Sequence, residues 1–229
     1  IVIDKASEAS LLGVISRVKS FYTHSNLPIK WNFKDSSIKK VYEEHGKKDD
    51  YEKMVRDSYN WRKKIFEDSL DSPYKIVLSC IESYSEEKKK VNAVKKNLHT
   101  YAFENLLMRI AMDAKSEGGS WQCVLDWPPA SDPKPYDSAY YRLYHEGVDS
   151  SGKEIWSGSL SSRGFASSVF YTRCNHSPLL QFSDLIIGAV KECIEAQMQN
   201  RSCGLGQEII DIVMEKFRSN GDVICGYGV

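Results

Sequence analysis

The chain has 229 residues, of which 41% are hydrophobic and 27% charged, and its formal net charge is zero. That length suits one large domain or two small ones, and the composition is ordinary for a globular protein. Zero net charge argues against a strongly basic nucleic-acid binder, while leaving a local basic patch open. No apolar run reaches the roughly 18 residues of a membrane-spanning helix and no signal peptide is visible, so a cytoplasmic protein with no membrane partner is expected. The six cysteines, Cys80, Cys123, Cys174, Cys193, Cys203 and Cys225, form no C-x-x-C pair and no zinc-knuckle spacing. They read as free thiols in a reducing compartment.

In chain order, Ile1-Val2-Ile3 reads as a strand already under way. The chain begins without Met, so further native residues are expected upstream. Asp4 stands between this strand and a helix over Ala6 to Tyr22, where Leu11, Ile15, Val18 and Tyr22 recur at helical spacing. Asn26-Leu27-Pro28 ends that helix. Ile29 to Phe33 alternates apolar and polar residues and predicts a strand with Ile29, Trp31 and Phe33 on one face. From Asp35 to Asp71 the chain is charged and helical, with Tyr42, Tyr51, Tyr59, Trp61 and Phe66 interspersed. Its near-balanced charge favours a solvated helical face over a nucleic-acid groove.

Tyr74 to Ile81 is nearly apolar throughout and predicts a central strand buried on both faces. A long helix is expected from Val91 to Lys115, stopped by Gly118-Gly119. Trp121 to Asp126 predicts a second central strand, terminated by Trp127-Pro128-Pro129. Residues 131–162 read as a loop-rich insertion with one short helix around Tyr136 to His145, and Phe165 to Tyr171 as a further strand. Ser177-Pro178 then opens an apolar helix running to about Gln199, with Ser177 as N-cap and Pro178 in the first helical position. Leu205 to Phe217 is a last helix, and Val223 to Tyr227 a short tail strand. Alternating strands and helices give an α/β class, read as a single domain over residues 1–229.

The chemistry centres on the apolar helix after Ser177. It carries Asp184, and one turn earlier Gln181, on a shared face. A carboxylate among apolar neighbours needs a partner or a metal. Asp126 ends a predicted strand, where functional groups of open α/β sheets gather, although a residue before Trp-Pro-Pro is also an ordinary turn residue. Two carboxylates brought together suit Mg²⁺ or Mn²⁺, hard cations that also take substrate phosphates, and such a site supports phosphodiester hydrolysis. Gln181 would orient a ligand from behind, or simply satisfy a backbone group. Glu104 and Asp4 are further candidates. Against them, Glu104 lies on a charged helix where a solvated position is expected, and Asp4 is placed for capping. Cys174-Asn175-His176, Glu86-Glu87-Lys88 and Gly204-Leu205-Gly206 faintly match nucleophile, nuclease and nucleotide-loop motifs but lack the context each requires.

Three segments carry a resemblance. Ile29-Lys30-Trp31-Asn32-Phe33-Lys34-Asp35, the stretch from Tyr101 to Ile110 followed by Val124-Leu125-Asp126, and above all Leu180-Gln181-Phe182-Ser183-Asp184-Leu185-Ile186-Ile187-Gly188-Ala189 resemble the bacterial domain-of-unknown-function 3800 family. The last is similar to that family's Leu-Gln-x-Ala-Asp-Leu-x-x-Gly signature, with Ser183 where the family usually has Ala. The resemblance implies a ribonuclease H-like mixed sheet flanked by helices, with Asp126 and Asp184 as catalytic metal ligands for Mg²⁺ or Mn²⁺. It adds Lys30 to the candidates. The family opens with an Asp-Glu-Ser-Gly strand that this chain does not show, so the N-terminal acidic strand is expected to lie upstream or to be lost. Three functions are open: a metal-dependent nuclease acting on nucleic acid; a non-catalytic ribonuclease H-like interaction domain in a bacterial or phage-related defence or mobile-element system, binding a protein partner or a second copy; or a non-nuclease phosphotransfer or hydrolase role at the same carboxylates.

Overall fold

The computed structural model describes residues 1–80, 88–127 and 132–220, with side chains left out of account at 88–97 and 115–117. The Glu86-Glu87-Lys88 motif and the tail strand expected over Val223 to Tyr227 therefore fall wholly or largely outside the described residues. The chain mixes α and β but is mostly helical, with two small sheets. In order it runs β1 (Val2–Ile3), α1 (Lys5–Ser20), α2 (Ser36–Glu44), α3 (Lys48–Arg56), α4 (Ser58–Ser69), β2 (Tyr74–Lys75), α5 (Lys88–Glu117), β3 (Val124–Asp126), α6 (Lys134–Tyr141), β4 (Phe170–Thr172), α7 (Pro178–Met198) and α8 (Leu205–Ile212). It divides into two compact units, one built on Ile3–Lys75 with Arg173–Lys216 and one on Ile76–Thr172 with Phe217–Val229.

The first unit is a helical assembly. Asp4 starts α1 by accepting from the N–H groups of Ala6 (2.8 Å) and Ser7 (3.0 Å), as an N-cap side chain does. The predicted face of α1 is buried at Leu11, Ile15 and Val18. α1 packs on α4 and α7, and α7 packs most extensively on α8. The charged stretch forms three helices, α2 to α4, and their inward aromatics meet. The Phe33 ring lies 5.6 Å from that of Tyr42, 5.4 Å from Tyr51 and 5.7 Å from Trp61.

That cluster explains a correction. Ile29 to Phe33 is not a strand. Its backbone turns, with Phe33 N–H donating to Trp31 C=O (3.0 Å) and Asp35 N–H to Asn32 C=O (3.2 Å). Ile29 and Phe33 are both buried, so the apolar alternation comes from a turn that delivers every second side chain inward. The predicted strand from Tyr74 is also cut short. Only Tyr74–Lys75 pairs, with β1, and Ile76 makes an isolated bridge to Phe217 in the second unit.

The second unit packs α5 and α6 around Phe103, Leu107, Ala111, Tyr140, Leu143 and Leu160. β3 and β4 form a parallel pair, with Val124 opposite Phe170, Leu125 opposite Tyr171 and Asp126 opposite Thr172. The expectation of a central, doubly buried β3 does not hold, because Val124 and Asp126 are exposed. The short helix expected in the insertion is α6, which continues through a π turn to Glu146.

Candidate functional site

Ser177 caps α7 by accepting from Leu180 N–H, and Pro178 occupies the first turn. From there three residues at intervals of three and four project along one stripe of the helix. Each is spent on the turn at residues 29–31. Gln181 is buried. Its Oε1 accepts from Lys19 Nζ (3.3 Å) and Ile29 N–H (3.3 Å), and its Nε2 donates to the carbonyls of Cys174 (3.1 Å) and Asn175 (3.1 Å). The amide's two acceptor and two donor positions are thus all used. Asp184, half-buried, accepts Trp31 N–H on Oδ2 at 2.7 Å. Gly188 leaves room for the Trp31 ring, since a Cβ there would lie 2.0 Å from Trp31 Cγ.

Trp31 is held from its other side by α4. The Arg62 guanidinium donates from Nη2 to Trp31 C=O and lies 4.9 Å from the Trp31 and Trp61 rings, within cation–π range. Burial lowers the Arg62 pKa to about 10, with the charges of Glu192 and Asp184 acting to restore it. Lys19 is buried too, and burial lowers its ammonium to about 8; an amide oxygen compensates far less than a carboxylate would.

The other predicted residues fall elsewhere. Asp4 caps α1 and is held below the usual carboxylate range chiefly by the Ser7 hydroxyl. Lys30 is half-buried and lends charge to Asp35, which the Ser37 hydroxyl and N–H already hold low as the α2 N-cap. Asp126 sits exposed at the end of β3 in the second unit. There Trp127 N–H donates to Thr172 C=O at 2.7 Å, and Trp127 packs edge-on against Tyr171 at 5.2 Å. The Tyr171 hydroxyl donates to Asp137 at 2.7 Å, and burial together with that bond raises its pKa.

Glu104 requires a second correction. It is fully buried, not solvated. Its Oε1 pairs with Arg142 Nη2 at 3.3 Å and its Oε2 accepts from the Ser150 hydroxyl at 2.7 Å. A third correction concerns thiols: Cys193 and Cys203 are joined in a disulfide. Cys174-Asn175-His176 forms a short turn whose first two carbonyls are held by Gln181.

The structure thus brings Gln181 and Asp184 together on one stripe, though Gln181 bonds to Lys19, Ile29 and the Cys174 turn and not to Asp184. It adds Lys19, Arg62 and Gly188, which the sequence reading missed. Gly188 carried a signal, as the closing glycine of the Leu-Gln-x-x-Asp-Leu-x-x-Gly run. Lys19 carried another, a cation beside the apolar face of Ile15, Val18 and Tyr22. As a ligand for a hard cation, Asp184 has the right chemistry, a carboxylate whose direction is fixed by a hydrogen bond. Among the described residues no group of three or more His, Cys, Asp or Glu is placed to share one ion. Among them, too, no helix is long and apolar enough to cross a membrane. No protein-family model, curated protein or solved structure matches this chain significantly.

Proposed function

We propose that this chain is a ribonuclease H-like domain of a metal-dependent nuclease, hydrolysing phosphodiester bonds with Mg²⁺ or Mn²⁺ and with Asp184 as a metal ligand. The observation that carries the reading is the Asp184 carboxylate, which is half-buried on an apolar helix and aimed by Trp31 N–H. It lies in a run that resembles a nuclease-fold family signature at Leu180, Gln181, Asp184, Leu185 and Gly188. Ligating carboxylates are commonly steered by such hydrogen bonds. Bound there, the cation would stabilise the attacking and leaving oxygens of a phosphodiester. Asp126, exposed at the end of β3 in the second unit, is a candidate carboxylate in its own right. The reading carries with it a bacterial cytoplasmic setting and a nucleic-acid substrate.

The discriminating variant is Asp184→Asn. Its amide oxygen still accepts Trp31 N–H, so the fold is retained, while the charge a cation needs is gone. In the full-length protein, Mn²⁺- or Mg²⁺-dependent cleavage of single- and double-stranded RNA and DNA is expected to fall about 100-fold or more in this variant, with the melting temperature little changed. Undiminished cleavage overturns the assignment.

A second reading, the non-catalytic interaction domain, draws on the same stripe. Gln181 is fully used and Asp184 already serves a backbone N–H, so packing alone accounts for both. It predicts no cleavage by the wild-type protein with either metal.

A further inference from the structure

The disulfide between Cys193 and Cys203 links α7 to the start of α8 across a sequence separation of 10. Both cysteines are half-buried, whereas Cys174 is buried. α8 has few means of its own to stay formed. It is 8 residues long, Gly204 precedes it, and no side chain caps its first turn; helices this short depend on tertiary anchors. Its first turn is fastened to α7 by the disulfide and by a close backbone approach at Gly206. A Cβ at that glycine would lie 2.6 Å from Ala189 C=O and 3.2 Å from each bridged sulfur. Its middle is fastened to α4 by Glu208, which accepts from the Tyr59 hydroxyl (2.6 Å) and from Lys63 Nζ (3.0 Å).

We infer that the Cys193–Cys203 bridge is a reversible redox clasp. Oxidised, it holds the start of α8 on α7. Reduced, it releases the first turn of α8 and leaves Glu208 with less hold on α4. Half-burial leaves the bridge open to a small dithiol. One thiolate of the dithiol attacks a bridge sulfur, forming a mixed disulfide and expelling the other cysteine as thiolate. The dithiol's second thiol then displaces the remaining cysteine. Two electrons and two protons pass to the chain, which gains two thiols, and the dithiol leaves as its own disulfide. The clasp does not depend on any activity at Asp184.

The test uses the full chain under native conditions, equilibrated with reduced or oxidised dithiothreitol, with thiol alkylation mapped by mass spectrometry and amide exchange followed across α8. Cys193 and Cys203 are expected to be alkylated only after reduction, without denaturant, and amides of residues 205–212 to exchange at least about tenfold faster in the reduced protein. Cys203→Ser is expected to match the reduced wild type and to ignore the dithiol. Alkylation of both cysteines in the oxidised protein, resistance to native-state reduction, or unchanged exchange in α8 would each overturn the clasp. The two wild-type redox states decide the matter even if the variant folds poorly.

Discussion

Asp184 of α7 and Glu104 of α5 meet the cost of burial by different routes. In the first unit, Asp184 is half-buried, accepts the backbone N–H of Trp31 and acts through its charge on the buried Arg62 guanidinium. In the second, Glu104 is wholly buried and leans on a charge, that of Arg142, plus the Ser150 hydroxyl. The difference decides what each residue is free to do. A carboxylate held by a backbone N–H keeps its geometry when its charge is removed. One held by an arginine leaves that half-buried cation without its carboxylate when it is cut away.

The comparison is broken most severely at Glu104. Glu104→Ala should cost about 3 kcal/mol, because it removes one side of a buried ion pair, whereas Asp184→Asn should cost well under that; paired urea titrations measure both. If the two lose the same stability, the contrast between the units is wrong. Next in size is Gly188→Ala, expected to cost about 2 kcal/mol through its collision with Trp31. Contacting residues couple in double-mutant cycles, and the Trp31 Cβ itself would lie 2.3 Å from the new methyl, so the same change should be nearly silent in a Trp31→Gly background. A cost that persists there would show that Gly188 answers to something other than the tryptophan.

An effect of similar size has the opposite sign and sharpens the picture of the first unit. Lys19 is a buried cation with an amide partner, and its pKa falls from 10.5 to about 8. Because the folded value lies below the unfolded one, the unfolded chain binds the extra proton between those two values. Stability therefore rises with pH from about 8 to 10.5, and the penalty is complete below about 8. That shift is on the order of 3 kcal/mol, offset by about 1 kcal/mol for the bond to Gln181. Lys19→Met should then gain about 2 kcal/mol at pH 7 and flatten the alkaline rise in a denaturation series. A variant that is less stable at pH 7 would mean that the ammonium has a stronger partner than Gln181.

What could be read in advance follows from how local each signal is. The start of α7 was legible because Ser177 and Pro178 act on their own backbone, as Asp4 does for α1. The helical character of residues 35–71 was legible, but not its division into three helices. Ile29 to Phe33 misled because a turn and a pleat both place alternate residues together, and only the aromatic cluster around Phe33 separates them. Glu104 misled because its surroundings in sequence are charged, while its partners lie 38 and 46 residues away. The awkwardness of Asp184 was legible, but part of its answer was a backbone N–H, a group every non-proline residue carries and no sequence marks.

The spacing of Gln181, Asp184 and Gly188 has a consequence for the length of α7. Each added residue turns a helix by about 100°. One codon inserted between Gln181 and Gly188 would swing Gly188 away from Trp31 while Gln181 stayed in place, and one deleted would do the same in the other sense. α7 should therefore tolerate substitution at the exposed Ile187 between those positions, yet no change in their number.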